Sequence, residues 1–188
     1  MRIVGGEWAG RSLVSPGKRV RPTSEEIRAG WIQWLEPDLK GARVLDLFSG
    51  TGALGLEALS RGAASVDFVE NGPPALHAIK ANLAMMGAKK RTRLFKKDAF
   101  AFIPGIEEGR YDVTLADPPY RSKSSERLVA LWLERPFSRI LSIEHGVDRT
   151  LPRGGVRRVF GSTVVTTYRK RGKKPAAAAG PNPETGRK

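Results

Sequence analysis

Asp117-Pro118-Pro119-Tyr120 carries the most distinctive chemistry in the chain. Two successive prolines rigidify the backbone and leave the carbonyls of Asp117 and Pro118 without competing local N–H donors. A carboxylate, fixed carbonyl acceptors and an aromatic ring at one point suit the exocyclic amine of a nucleobase. That nitrogen lone pair is conjugated into the ring, so it is a poor nucleophile. Hydrogen bonds accepted from its N–H groups orient the amine and return electron density to nitrogen, while Tyr120 can stack on the base. The alternative for these four residues is a plain proline turn.

A second constellation lies upstream. Gly50-Thr51-Gly52-Ala53-Leu54-Gly55 has the form G-x-G-x-x-G, whose glycines permit a tight turn and a close backbone approach to a ligand. Alone it fits dinucleotide, nucleotide and S-adenosylmethionine sites alike. Glu70, about 20 residues on, is placed to accept hydrogen bonds from two ribose hydroxyls; its other reading is a helix-capping acid. Asp98, with Ala99, can accept a hydrogen bond from an adenine amine or simply cap a helix. Asp46 is the one acid in an apolar run, costly there unless a cation or donor faces it.

These residues need an ordered sheet to hold them. Apolar runs at 44–48, 65–70, 92–96, 111–116, 140–144, 156–160 and 162–168 predict strands, and the intervening segments predict helices. The order is that of an α/β, Rossmann-like, seven-stranded, mostly parallel sheet with an antiparallel C-terminal hairpin and helices on both faces. Every acid singled out then ends a strand or lies within one, and in such sheets strand C-termini line the ligand crevice. The last run, 162–168, reads as an edge-side strand. A helix is expected from Thr23 and Glu26, spaced as a capping box, with Ile27, Trp31, Trp34 and Leu35 on its buried face and Pro37 closing it. Pro73-Pro74 opens another helix and Gly87 stops it. Residues 1–22 read as a basic two-stranded hairpin arm, 23–170 as the core domain and 171–188 as a disordered basic tail.

With 188 residues, one domain plus appendages is expected. No cysteine occurs, which excludes disulfides and thiolate chemistry, and only two histidines make a zinc site implausible. No metal is expected. No run approaches the roughly 20 apolar residues of a membrane span and the first residues lack a signal-peptide pattern, so a cytoplasmic location is expected. The net charge of +14 points to a polyanionic partner rather than a small metabolite alone. Residues 151–174 hold eight Lys or Arg and no acid, and 89–97 hold six basic residues. The basic residues Arg2, Arg11, Lys18, Arg19 and Arg21 are the candidate phosphate contacts of the arm; a solvated basic surface is the blander alternative.

Arg2-Ile3-Val4-Gly5-Gly6, Gly10-Arg11, Arg21-Pro22-Thr23, Leu45 to Gly52, Gly55 to Ala63, Phe68-Val69-Glu70 and Asp117 to Tyr120 together resemble the RsmD family. These are class I S-adenosylmethionine-dependent enzymes that methylate the N2 amine of a guanine in bacterial 16S ribosomal RNA. The resemblance runs from Met1 to about residue 170. It implies contacts to the methionine moiety at Asp46, Phe48, Gly50 and Gly52, to ribose at Glu70 and to adenine near Asp98 and Ala99. Asp117, Pro118, Pro119 and Tyr120 would position the base. It further implies a 16S RNA substrate, free or within a small subunit, and a monomer. Two departures stand out: Asn71-Gly72-Pro73-Pro74 after the ribose acid, and the acidic start of the helix at 24–29. An adenine-N6 methyltransferase would use the same tetrad, but no separate target-recognition domain is visible. A nicotinamide-dependent dehydrogenase would leave the tetrad and the charge without a role, and a non-catalytic RNA-binding protein would not need both motifs intact.

Overall fold

In the computed structural model, residues 1–15, 24–119, 122–161 and 163–170 are described. The expected tail, Lys18, Arg19, Arg21, Thr23 and Tyr120 lie outside them. A seven-stranded sheet runs in the order β3-β2-β1-β4-β5-β7-β6. Its strands are β1 (Arg43–Leu47), β2 (Ser65–Glu70), β3 (Thr92–Lys96), β4 (Tyr111–Ala116), β5 (Ser138–Gly146), β6 (Val156–Phe160) and β7 (Thr163–Arg169). The first five are parallel neighbours, and β7 pairs antiparallel with both β5 and β6.

Alternation along the strands divides the core into two layers. Val44, Val66, Phe68, Val113 and Leu115 face α1 (Glu25–Leu39), α2 (Ala53–Ser60) and α3 (Pro73–Met85). Leu45, Leu47, Val69, Leu141 and Ile143 face the short α4 (Ala99–Phe102) and α5 (Ser124–Glu134). Tertiary contact corrects four local expectations. Pro37 lies inside α1, which continues to Leu39. Leu39 is fully buried, and burying a leucine contributes about 2 kcal/mol, enough to offset much of a proline's cost near a helix end. Trp34 is only half-buried, at the rim of the core, while Arg28 is fully buried on the same helix. Ser24 caps α1, accepting from the Ile27 amide. The last strand is not at the edge: β7 is inserted between β5 and β6, its first six residues buried, and β6 is the exposed edge. The Ser142–Thr167 hydroxyl pair at 2.7 Å accommodates β7's polar residues beneath Trp31, whose indole N–H donates to Ser142 at 2.7 Å.

At the N-terminus, where a hairpin or arm is expected, an antiparallel bridge from Arg2 to Ser12, flanked by bonds from the Ile3 amide to the Arg11 carbonyl at 2.9 Å and from the Leu13 amide to the Met1 carbonyl at 2.8 Å, closes residues 1–15 around a 3-10 turn at Gly6–Trp8. This segment is packed into the core through Ile3, Trp8 and Leu13. The Trp8 amide donates to Ser60 Oγ at 2.9 Å, and Ser60 Oγ donates to the Gly5 carbonyl at 2.6 Å. Among the described residues no helix is long and apolar enough to cross a membrane.

Gly55 belongs to packing: a Cβ there would meet the Phe68 ring at 2.4 Å. Gly55→Ala should lower stability by about 1–3 kcal/mol, read as a lower thermal midpoint with strand content retained.

Candidate active site

The end of β1 turns into α2 through three left-handed residues, Phe48 (φ 58°), Gly50 (φ 55°) and Gly52 (φ 77°). A bulky residue rarely adopts this conformation, so its presence at Phe48 marks a place where the surroundings dictate the backbone. Ser49 Oγ donates to the Asp46 carbonyl at 2.6 Å and accepts from the Val69 amide at 3.0 Å, stitching the turn to β2. Glu70 completes the link. Its Oε2 accepts from the Gly50 amide at 2.8 Å, and its Oε1 accepts from the amides of Asn71 (2.9 Å) and Gly72 (2.6 Å). Glu70 thus joins the turn to the segment just before α3; it is not the cap of that helix, whose N-cap residue is Gly72 with no side-chain capping bond.

Asp46 points the same way from the middle of β1. Its Oδ2 accepts from the Gly55 amide at 2.9 Å, while Oδ1 is buried with no partner among the described residues. Burial, seconded by the nearby carboxylates of Asp117 and Glu70, pushes its carboxyl up to about 8 against the pull of the Gly55 N–H. Asp46 thus feels an acid on either side, Glu70 at the end of β2 and Asp117 just past the end of β4.

Beside them lies a cleft of about 250 Å³, lined by Phe48, Glu70, Asp98, Ala99, Phe100 and Pro119 among others. Asp98 caps α4 through the amides of Phe100 (2.9 Å) and Ala101 (3.1 Å), so its capping role is a real one. Phe48 and Phe100 meet edge to face at 5.8 Å, and the Arg127 guanidinium covers Phe100 at 4.1 Å. In the tetrad, Pro118 is buried and Pro119 exposed, and the Pro119 carbonyl accepts from the Ser122 amide (3.2 Å) and hydroxyl (2.9 Å). Ser122 therefore fastens the segment that follows Asp117.

The fold gathers Phe48, Glu70, Asp98, Ala99 and Pro119 around one cleft, with Asp46 within electrostatic range of Glu70 and Asp117; Gly50 and Gly52 lie in the turn that Glu70 holds through the Gly50 amide. Arg2 and Arg11 lie in the N-terminal segment, exposed, with Arg2 paired to Glu25 at 3.4 Å. Residues not singled out from sequence also matter. Asn82 is fully buried on α3. Its Nδ2 donates to the Thr51 carbonyl at 2.9 Å and the Val14 carbonyl at 3.0 Å, and its Oδ1 accepts from the Val14 amide at 2.7 Å. The signal available was an amide beside the Leu76, Ile79 and Leu83 stripe. Gly52 is held as closely from this helix, since a Cβ there would meet Ile79 at 2.7 Å.

The arrangement suits a cationic ligand. An orphaned buried carboxylate oxygen is costly unless a donor or cation meets it, and a glycine turn at a helix N-terminus admits close approach. Comparison with known proteins identifies the chain's relatives. Residues 1–153 match the family described as conserved hypothetical protein 95. Ribosomal RNA small subunit methyltransferase D of Escherichia coli K12 is 35% identical over 161 residues, 81% of this chain and 78% of that protein. The Bacillus subtilis protein YlbH is 31% identical over 92% of this chain and all of its own length. Among solved structures, yhhF of Escherichia coli superposes with a TM-score of 0.79 at 31% identity, over 92% of this chain and 99% of its own.

Proposed function

The chain belongs to the RsmD family, the one described as conserved hypothetical protein 95, and from that membership we propose that it methylates the N2 amine of a guanine in small-subunit ribosomal RNA. S-adenosylmethionine is the donor. The observation that carries the reading is the convergence of Asp46, Glu70 and Asp117 on one crevice beside the glycine turn.

The cofactor supplies a methyl group already activated on a sulfonium, so no metal or covalent intermediate is needed. Asp46, with its unpartnered Oδ1, would take the cofactor's ammonium; Phe48, Gly50 and Gly52 would border the methionine moiety, Glu70 the ribose, and Asp98 with Ala99 the adenine. Asp117 and the Pro118 carbonyl accept hydrogen bonds from the target amine and hold it in line for attack. The proton the amine loses passes to Asp117 or to solvent. Because guanine N2 is engaged in a duplex, the base is unpaired or flipped into the site. Arg2 and Arg11 serve the RNA backbone, together with Lys18, Arg19 and Arg21. A cytoplasmic monomer acting on free RNA or on a small-subunit particle fits this chemistry.

Tritium transfer from labelled S-adenosylmethionine to 16S RNA, to partly assembled small subunits and to DNA, with nucleoside analysis, tests the reading. N2-methylguanosine is expected; its absence from every RNA substrate overturns the proposal, and N6-methyladenosine instead would replace the target base.

Asp46 makes the site pH-dependent in a definite direction. A carboxyl that stays protonated in the folded chain but ionises near 4 when unfolded favours the fold fully below that value. The contribution is lost as pH rises toward about 8. Asp46→Asn should flatten that slope in thermal melts of the ligand-free protein. An ammonium favours the ionised form, so S-adenosylhomocysteine affinity should rise between pH 6 and 8 in the unsubstituted protein and lose that rise in Asp46→Asn, measured by calorimetry.

A further inference from the structure

The cofactor crevice draws on β1, β2, β3–α4 and the end of β4, which leaves the β5-β7-β6 side of the sheet for the approach of the substrate. Phe160, the last residue of β6, pairs with Thr163, which pairs with Gly146 at the end of β5. The C-terminal end of β6 is therefore on the same rim of the sheet as Asp117. Three interstrand steps separate it from β4, about 14 Å.

Between α1 and β6 on this side lies a groove of about 580 Å³, lined by Gly30, Gln33, Trp34, Pro37, Arg158 and Phe160 among others. Trp34 is half-buried, and the Arg158 guanidinium covers its ring at 4.4 Å. Trp8, Trp31 and Trp132 are 3%, 0% and 2% exposed, so Trp34 is the tryptophan that solvent can reach. An indole, a guanidinium plane and the partly exposed Phe160 ring make a platform on which any nucleobase can stack.

The surrounding charge chooses the occupant. Residues 151–170 contain five basic side chains and no acid. Arg153, Arg157 and Arg158 are exposed, and no carboxylate pairs with any of them among the described residues. Two of the acids on α1 are already engaged, Glu36 with Arg61 at 3.0 Å and Asp38 with Arg169 at 2.7 Å, which leaves Glu26, exposed one turn before Gly30, against the three arginines. A positively charged groove floored by aromatic rings suits a single-stranded polynucleotide rather than a protein strand.

We propose that the α1–β6 groove binds an unpaired stretch of the RNA substrate, one base stacking on Trp34 while Arg158, with Arg153 and Arg157, takes the phosphates. This rests on the RNA-methylation reading and adds to it a docking site beyond the catalytic crevice.

The test uses the full chain and an unstructured oligoadenylate of about 12 nucleotides, followed by tryptophan fluorescence. Binding should quench the emission. Trp34→Leu should abolish the quench and weaken binding about tenfold. Arg158→Gln should lower the slope of log affinity against log salt by about 0.7–0.9. Both variants should bind S-adenosylhomocysteine like the unsubstituted protein; that measurement also verifies folding, and Arg158→Gln carries the test if Trp34→Leu does not fold. Heparin, a polyanion without bases, should compete without quenching. Unchanged oligonucleotide affinity in Arg158→Gln, a quench that survives Trp34→Leu, or equal quenching by heparin would each overturn the proposal. Methyl transfer to RNA by the same preparations separates the two readings. Transfer with undiminished RNA affinity in the variants removes the groove, whereas no transfer by any of them removes the reading beneath it.

Discussion

Replacing Asp117 with Ala should cut methyl transfer about 10³-fold, the scale set by loss of one preorganised charge-stabilising group, while S-adenosylhomocysteine still binds. The expectation follows from position. Asp117 ends β4 beside the cleft, within electrostatic range of Asp46, and the prolines after it fix where its carbonyl and carboxylate face. Removing it also removes one of the negative charges that push the Asp46 carboxyl up. Asp46 then ionises more readily at neutral pH, and an ammonium-bearing ligand should bind as well or slightly better. Single-turnover transfer and calorimetric titration, run on one preparation, read the two effects. A parallel loss of ligand binding would reassign Asp117 from the target amine to the cofactor.

Glu57→Ala should be the most destabilising single change, about 3–5 kcal/mol, seen as a fall of roughly 10 °C in thermal midpoint for a domain of this size. Glu57 and Arg28 are both fully buried and meet at 3.1 Å. Glu57 Oε1 also accepts from the Val4 amide at 2.6 Å, and Arg28 donates to the Arg2 carbonyl. Truncating the acid strands a buried guanidinium and at the same time leaves the Val4 amide of the N-terminal segment without its acceptor. Arg28→Met with Glu57→Leu should recover part of the loss, because neither charge is then left alone. If the double variant melts no higher than Glu57→Ala, the single loss comes from packing rather than from an unpaired charge.

What the sequence disclosed and what it concealed follow one physical division. The strand-glycine-helix turn, the acids at strand ends and Asp117-Pro118-Pro119 are local patterns, each carried by neighbouring residues in the chain. Long-range partners are not written locally. Asp46 looked in need of a donor; one proved to be the Gly55 backbone, reachable only after the turn closes. Glu57 sits in an otherwise mostly apolar helix whose pattern gives no hint that Arg28, 29 positions earlier, will meet it in the core. The position of β7 between β5 and β6 depends on which strands pair, and its valines and threonines read equally well as an edge. Trp34 shares its helix and spacing with Trp31, yet only the latter finds a partner in Ser142 beneath the helix.

Asn82 carries a consequence for how the chain is made. Its bonds to Val14 span 68 positions, and those of Ser60 to Trp8 span 52. Residues 1–15 precede α2 and α3 along the chain and have nowhere to dock until both have followed them, and closing such long loops is slow. The glycine turn gains its anchor at Thr51 from the same amide that seats Val14. These residues are thus put in place only after the helices they precede, and the glycine turn is fully anchored when the N-terminal segment folds back onto the middle of the chain.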